Sequence, residues 1–248
     1  MTPTSSSLWS FLTTASNWSG ANGIADRLVV HLWISLLAVG AAAVISIPLG
    51  IVVGGRERGQ VAATGVANLG RAVPSLAVLA FVVAAGWGIG FVPTFIAMFA
   101  LAVPPMFVSA ATGVAEVDPG VLDVASGLGM THSQVVRRVQ VPLAVPLIIS
   151  GVRIAMSQVI ATATLGAFVG YNTLGRFITV GHANSDDGML YGGVVLVVAL
   201  AIVADVGFRM LQRSLTPWSR RRPRHHRGHR SRPSSGRIEI VDAARVAD

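Results

Sequence analysis

Residues 28–53 read LVVHLWISLLAVGAAAVISIPLGIVV, a run between Arg27 and Arg56 that carries no charge. Roughly 20 apolar residues suffice to cross the hydrocarbon core of a bilayer, so this stretch reads as one transmembrane helix. Pro48 can kink its last turn. A second charge-free interval, between Arg71 and Glu116, has room for more than one crossing. The chain is 52% hydrophobic and 12% charged, against about a quarter charged in an ordinary soluble domain. The fold class expected is therefore all-α and polytopic, with about five transmembrane helices.

The remaining spans follow from the same patterning. Residues 61–85 form a less regular second span. Pro74 lies inside it, and a proline there removes a backbone donor and disfavours helix at Val73. Residues 61–72 are read as the cytoplasm-proximal part, with the main crossing after the break, so that Arg71 snorkels or faces protein. Residues 91–113, 143–170 and 188–208 supply the third, fourth and fifth spans, and 171–187 a polar loop. Three domains are expected: an extracytoplasmic segment over 1–27, a membrane domain over 28–212, and a disordered Arg-rich cytoplasmic tail over 213–248.

The net charge is +8, and every basic side chain is Arg. The tail holds ten Arg against Glu239, Asp242 and Asp248, so it accounts for most of the excess. Arg56 and Arg58 lie in the first loop and Arg137 and Arg138 in the third. The positive-inside rule puts those loops and the tail in the cytoplasm and the N-terminus outside. The start of the chain does not read as a cleaved signal peptide. Without Cys there are no disulfides or thiolate metal sites. Without Lys there is no Walker A loop, so any ATP used is bound by another chain.

Residues 114–141 are the only substantial amphipathic segment between spans, and the stretch 118–142 carries its motif. Asp118-Pro119 is a helix start, a side-chain cap followed by Pro at the first helical position. Val121, Ala125 and Leu128 share one face. Gly127 and Gly129 can end that helix by accepting positive φ. Thr131-His132-Ser133-Gln134 is a capping box for a second helix, which Pro142 is expected to end. The segment reads as two short helices joined by a Gly turn, with small exposed residues suited to docking into another protein.

This segment resembles the EAA motif of ABC importer permeases: E-A-A, three residues, G, nine residues, then I-x-L-P. Asp123 stands for the Glu, Val124 and Ala125 for the two Ala, Gly129 for the Gly, and Val139-Gln140-Val141-Pro142 for the closing group. The departures are Asp for Glu, one Val for Ala, and Val for Ile and Leu. Ala72-Val73-Pro74-Ser75-Leu76-Ala77 is similar to the T-I-P-S-L-A stretch of glycine betaine/carnitine/choline permeases. So are Val117-Asp118-Pro119, the stretch from Pro142 to Arg153, and that from Thr162 to Gly170 followed by Leu174-Gly175. The resemblance covers about residues 28–212. It implies a bacterial cytoplasmic-membrane complex of two permeases, identical or paralogous, with two ATPase subunits and an extracytoplasmic substrate-binding protein. ATP and Mg would belong to the ATPase, this chain holding no cofactor, and the Gly129 loop would sit in a groove of the ATPase. The solute would be a compatible solute such as glycine betaine, choline, carnitine or proline betaine, with any aromatic cage for the quaternary ammonium in the binding protein.

Ser157, Gln158, Thr162 and Thr164 either line the translocation path or make interhelical hydrogen bonds; both readings place them on one helix face. Asp205 is an intramembrane ion site or, with Arg209 four residues on, an ion pair near the cytoplasmic end. Arg153 is expected to snorkel. His31 and His182 lack metal-ligand spacing, and no metal is expected. The tail is read as a positive-inside signal rather than a binding segment for nucleic acid or anionic lipid. The alternative class is an ATP-independent secondary transporter or channel, which has no use for an ATPase-docking loop.

Overall fold

The computed structural model describes residues 7–56, 59–72 and 74–215. The tail, Glu57, Arg58, Val73 and the side chain of Arg71 lie outside the described residues. The described elements are helical. In chain order they are α1 (Leu8–Thr13), α2 (Ala15–Trp18), α3 (Ile24–Gly54), α4 (Gly59–Ala72), α5 (Ser75–Ala84), α6 (Phe91–Ala115) and α7 (Pro119–Gly127). There follow α8 (His132–Val135), a π turn (Val136–Gln140), α9 (Val141–Ala163), a 3₁₀ segment (Thr164–Val169), α10 (Gly175–Ala183) and α11 (Asp187–Leu215).

Four helices are long and apolar enough to cross a bilayer: α3, α6, the continuous helix His132–Val169, and α11. The second expected span is a broken pair, α4 and α5, interrupted at Val73-Pro74, where Pro74 serves as the N-cap of α5. The main crossing was expected after that break. Instead α5 has ten residues, about 15 Å of helix against a hydrocarbon core of about 30 Å, so neither half crosses alone.

Small residues set how closely the spans pack. α6 lies between α3 and α9, with Ala38, Ala42, Met98, Ala102, Met106, Ala155, Val159 and Ala163 buried among them. A Cβ added at Gly151 of α9 would stand 2.5 Å from the Ser109 Cβ of α6, so this glycine permits the close approach. With lipid replacing water outside, such close packing rather than the hydrophobic effect holds spans together. Opposite faces remain apolar and exposed: Val29, Trp33, Val44 and Ile45 on α3, and Val198, Ile202 and Val203 on α11.

Two ends differ from expectation. The first span begins at Ile24, and two short helices, α1 and α2, precede it. Phe11 of α1 is buried edge-on against Phe177, ring centroids 5.4 Å apart, in a small cluster with Ile24 and Leu174. The polar loop 171–187 contains α10, which the Gly and charged residues around it concealed. Leu174-Gly175 has a packing reason: a Cβ at Gly175 would collide with the Thr164 backbone, and Thr173 Oγ1 donates to Ala163 O at 2.9 Å. Phe91, Phe95 and Phe99, four residues apart, form a row with centroids 5.7 and 6.1 Å apart. Tyr171 meets Phe91 edge-on at 5.9 Å. This row packs on the core.

Candidate coupling loop and membrane cavity

The loop between α6 and α9 is locked by its own hydrogen bonds. Asp118 Oδ1 accepts from Gly120 N at 2.7 Å, with Pro119 opening α7. At the other end Gly129 has φ +81°. Gly129 N donates to Ser126 O at 2.9 Å and Met130 N to Ala125 O at 3.3 Å. This pair of bonds is a Schellman cap, which requires the left-handed backbone that glycine adopts without strain. Two residues later the capping box closes: Thr131 N donates to Gln134 Oε1 at 2.9 Å, and Gln134 N to Thr131 Oγ1 at 3.4 Å. Helix end and helix start thus abut across a rigid turn.

What the loop presents is apolar. Val124 is 66% and Leu128 79% exposed, and Asp123 and Val121 are also exposed. Of the face Val121, Ala125 and Leu128, only Ala125 is buried. The loop is thus a short capped helix that leaves a Val and a Leu bare.

Pro142 does not end the second helix as expected. The helix runs on from His132 to Val169. Its first turns widen into a π turn in which Val141 N donates to Val136 O, five residues back. A proline cannot donate, and its ring crowds the carbonyl four residues earlier. The π turn accommodates both by lengthening the ladder locally. Val139, Val141 and Pro142 therefore form the root of the fourth span, whereas Asp123, Val124, Ala125 and Gly129 form the loop itself. Gln140, buried in the π turn, reaches Val114 O at 3.4 Å and ties this root to the end of α6.

The four polar residues of the fourth span differ in their surroundings. Gln158 lines a cavity of about 430 Å³ between α4, α6 and α9, together with Gly70, Pro104, Pro105, Ser109 and Ile154. Ser157 Oγ donates to Arg153 O at 3.2 Å and Thr164 Oγ1 to Ala161 O at 2.6 Å, both within their own helix. Thr162 is buried. Sequence reasoning missed the other cavity residues. Their signal was the Gly70 and Pro104-Pro105 steps: a Cβ at Gly70 would stand 2.5 Å from the Pro104 Cβ, so these two positions hold α4 close to α6.

Asp205 bonds Arg209 at 2.6 Å, the expected pair, and Arg153 Nε also approaches it at 3.6 Å. Arg153 thus turns to a carboxylate rather than snorkelling alone. His31 is buried, with Nε2 3.0 Å from Ile160 O. Among the described residues no group of His, Asp or Glu has the arrangement of a metal site.

Comparison with known proteins agrees with this geometry. Residues 46–221 match the family model of the binding-protein-dependent transport system inner membrane component. The chain is 36% identical to OpuCB of Bacillus subtilis (strain 168), a glycine betaine/carnitine/choline transport system permease protein, over 75% of this chain and 86% of that one. It is 37% identical to OpuBB of the same organism, a choline transport system permease protein, with the same coverage. To OsmW of Salmonella typhimurium, an osmoprotectant import permease protein, it is 33% identical over 79% and 94% of the two chains. An inward-facing structure of the MetNI methionine ABC transporter shares the fold, with a TM-score of 0.67 at 21% identity over 77% of this chain and 95% of that one. With its spans and these relatives in agreement, the chain belongs to the binding-protein-dependent inner membrane components, the permease subunits of ABC importers.

Proposed function

We propose that this permease carries a small quaternary-ammonium osmoprotectant (glycine betaine, choline, carnitine or proline betaine) into the cytoplasm. As a family member it is the non-catalytic membrane subunit, and ATP is hydrolysed by a separate chain. The solute class rests on the OpuCB, OpuBB and OsmW relatives. The observation that carries the coupling mechanism is the capped turn at Gly129, with Val124 and Leu128 exposed on either side of Ala125.

In this mechanism Asp123, Val124, Ala125 and Gly129 seat in the ATPase with its Mg-ATP, and closure of the ATPases displaces the loop. The π turn around Val139, with Val141 and Pro142, passes the displacement into the fourth span. Two permease subunits, identical or paralogous, enclose the path, and an extracytoplasmic binding protein delivers the solute. The cavity beside Gln158 lies on that path, with the Gln158 amide offering both donor and acceptor to a zwitterion; Ser157 adjoins it, Thr162 lies one turn on, and Thr164 opens the 3₁₀ segment that follows. ATP and the liganded binding protein supply the free-energy difference between the two access states. The N-terminus faces outside and the tail inside, consistent with the Arg distribution. The membrane domain begins with the first span at Ile24 and runs to about 212, with the preceding residues outside it.

The test is uptake of labelled glycine betaine by a host lacking its own osmoprotectant importers, supplied with this chain, its ATPase and its binding protein. Uptake that requires a hydrolysing ATPase supports the proposal. Uptake that persists without the ATPase refutes the coupling and returns the secondary-transporter reading; absence of uptake with all three proteins in the membrane refutes the solute assignment.

A further inference from the structure

Where α3 ends and α8 begins, a cavity of about 310 Å³ is walled by Ile51, Val52 and Val136 and rimmed by Arg56, Arg137 and His132. Among the described residues no acidic side chain lines it, and neither Arg56 nor Arg137 pairs with a carboxylate. Val52 is 56% exposed and continues the exposed row of Val44, Ile45 and Leu49 along α3. An apolar face suited to acyl chains thus leads, at the end of its helix, into a concave site bearing two guanidinium groups. That combination of apolar approach and cationic rim is the chemistry of an anionic glycerophospholipid, chains along the helix and phosphate at the arginines.

We propose that this cavity binds the headgroup of an anionic phospholipid such as phosphatidylglycerol. The reading that the first and third loops face the cytoplasm supplies only the leaflet. A carboxylate of the ATPase is the rival occupant of the same charge. The row on α3 argues against it, because an apolar strip along a spanning helix serves lipid and not a cytoplasmic subunit.

The test uses the complete transporter in nanodiscs of phosphatidylcholine and phosphatidylglycerol, transferred to detergent and examined by native mass spectrometry. Wild type should retain one phosphatidylglycerol per permease more than the double variant Arg56→Gln/Arg137→Gln, with affinity at the site falling roughly tenfold or more. Arg138→Gln, altering an exposed neighbour that does not line the cavity, should retain the wild-type number. The tail is present in all three, so its contribution cancels. Equal retention by wild type and double variant, an equal loss in Arg138→Gln, or a matching loss of phosphatidylcholine would overturn the proposal. So would loss of the co-purifying ATPase from the double variant with phosphatidylglycerol retained. Reagent access to a single cysteine, Ser126→Cys, fixes the leaflet separately, so a failure of topology is told apart from a failure of the site.

Discussion

Replacing Gly129 separates the shape of the coupling turn from its fit to a partner. Gly129 sits at φ +81° with open space where a Cβ would project. Gly129→Ala therefore meets no steric neighbour and costs only backbone strain, about 1 kcal/mol, or roughly a fivefold fall in the native turn relative to competing turns. Gly129→Arg carries the same strain and adds a long cationic side chain at the apex. Gly127, helical and equally open, is the control: Gly127→Ala is expected to hold or raise stability by up to about 1 kcal/mol. If the turn seats in a groove of the ATPase, Gly129→Ala keeps measurable ATP-dependent uptake at wild-type membrane abundance. Gly129→Arg abolishes it and releases the ATPase on purification. Equal losses for Ala and Arg would show that backbone strain alone matters, and the docking argument would be wrong.

Four further outcomes are expected. Thr131→Ala removes the acceptor half of the capping box at an expected cost of about 1 kcal/mol; a thermal melt of the purified complex should shift down, and an unchanged melt would show that the box does not hold the loop. Gly151→Val drives a side chain into Ser109 at about 1–3 kcal/mol; membrane abundance should fall and recover partly with Ser109→Gly, which removes the Cβ it meets, and no recovery would refute the proposed contact. Asp205→Asn breaks partly exposed pairs worth about 1 kcal/mol or less, so uptake should survive; its loss would revive the ion-site reading. Because the natural chain lacks Cys, single cysteines at Ser19 and Ser126 should label from outside and inside respectively, and the reverse pattern would invert the topology.

Much of this architecture was legible because the decisive signals are local. Charge-free runs define spans wherever lipid is the solvent, and Asp118-Pro119, the Gly129 turn and the Thr131–Gln134 box are closed by residues within a few positions of one another. The break at Val73-Pro74 was equally plain, since proline's missing donor acts on its neighbours. What escaped was set by contacts distant in sequence. Whether Pro142 stops a helix or rides through it depends on a π turn, which no propensity scale anticipates. The partner of Arg153 lies on another span. The cavity beside Gln158 is formed by Gly70 and Pro104, whose proximity is a fact of packing. α10 was hidden because its apolar residues, Phe177 and Leu174 with it, are spent on the N-terminal helices rather than on a regular stripe.

The unbroken passage from His132 to Val169 has a mechanical meaning. Its 38 residues, at about 1.5 Å each, make a shaft of about 57 Å, longer than the membrane is thick. One end is the exit of the coupling turn; the other is the 3₁₀ segment beneath α10. A shaft that pivots near its middle moves its two ends in opposite directions by similar amounts. In the coupling proposed above, a pull at the turn would then narrow one side of the bundle as it widened the other, and two gates would answer to a single stroke without any signal relayed between them.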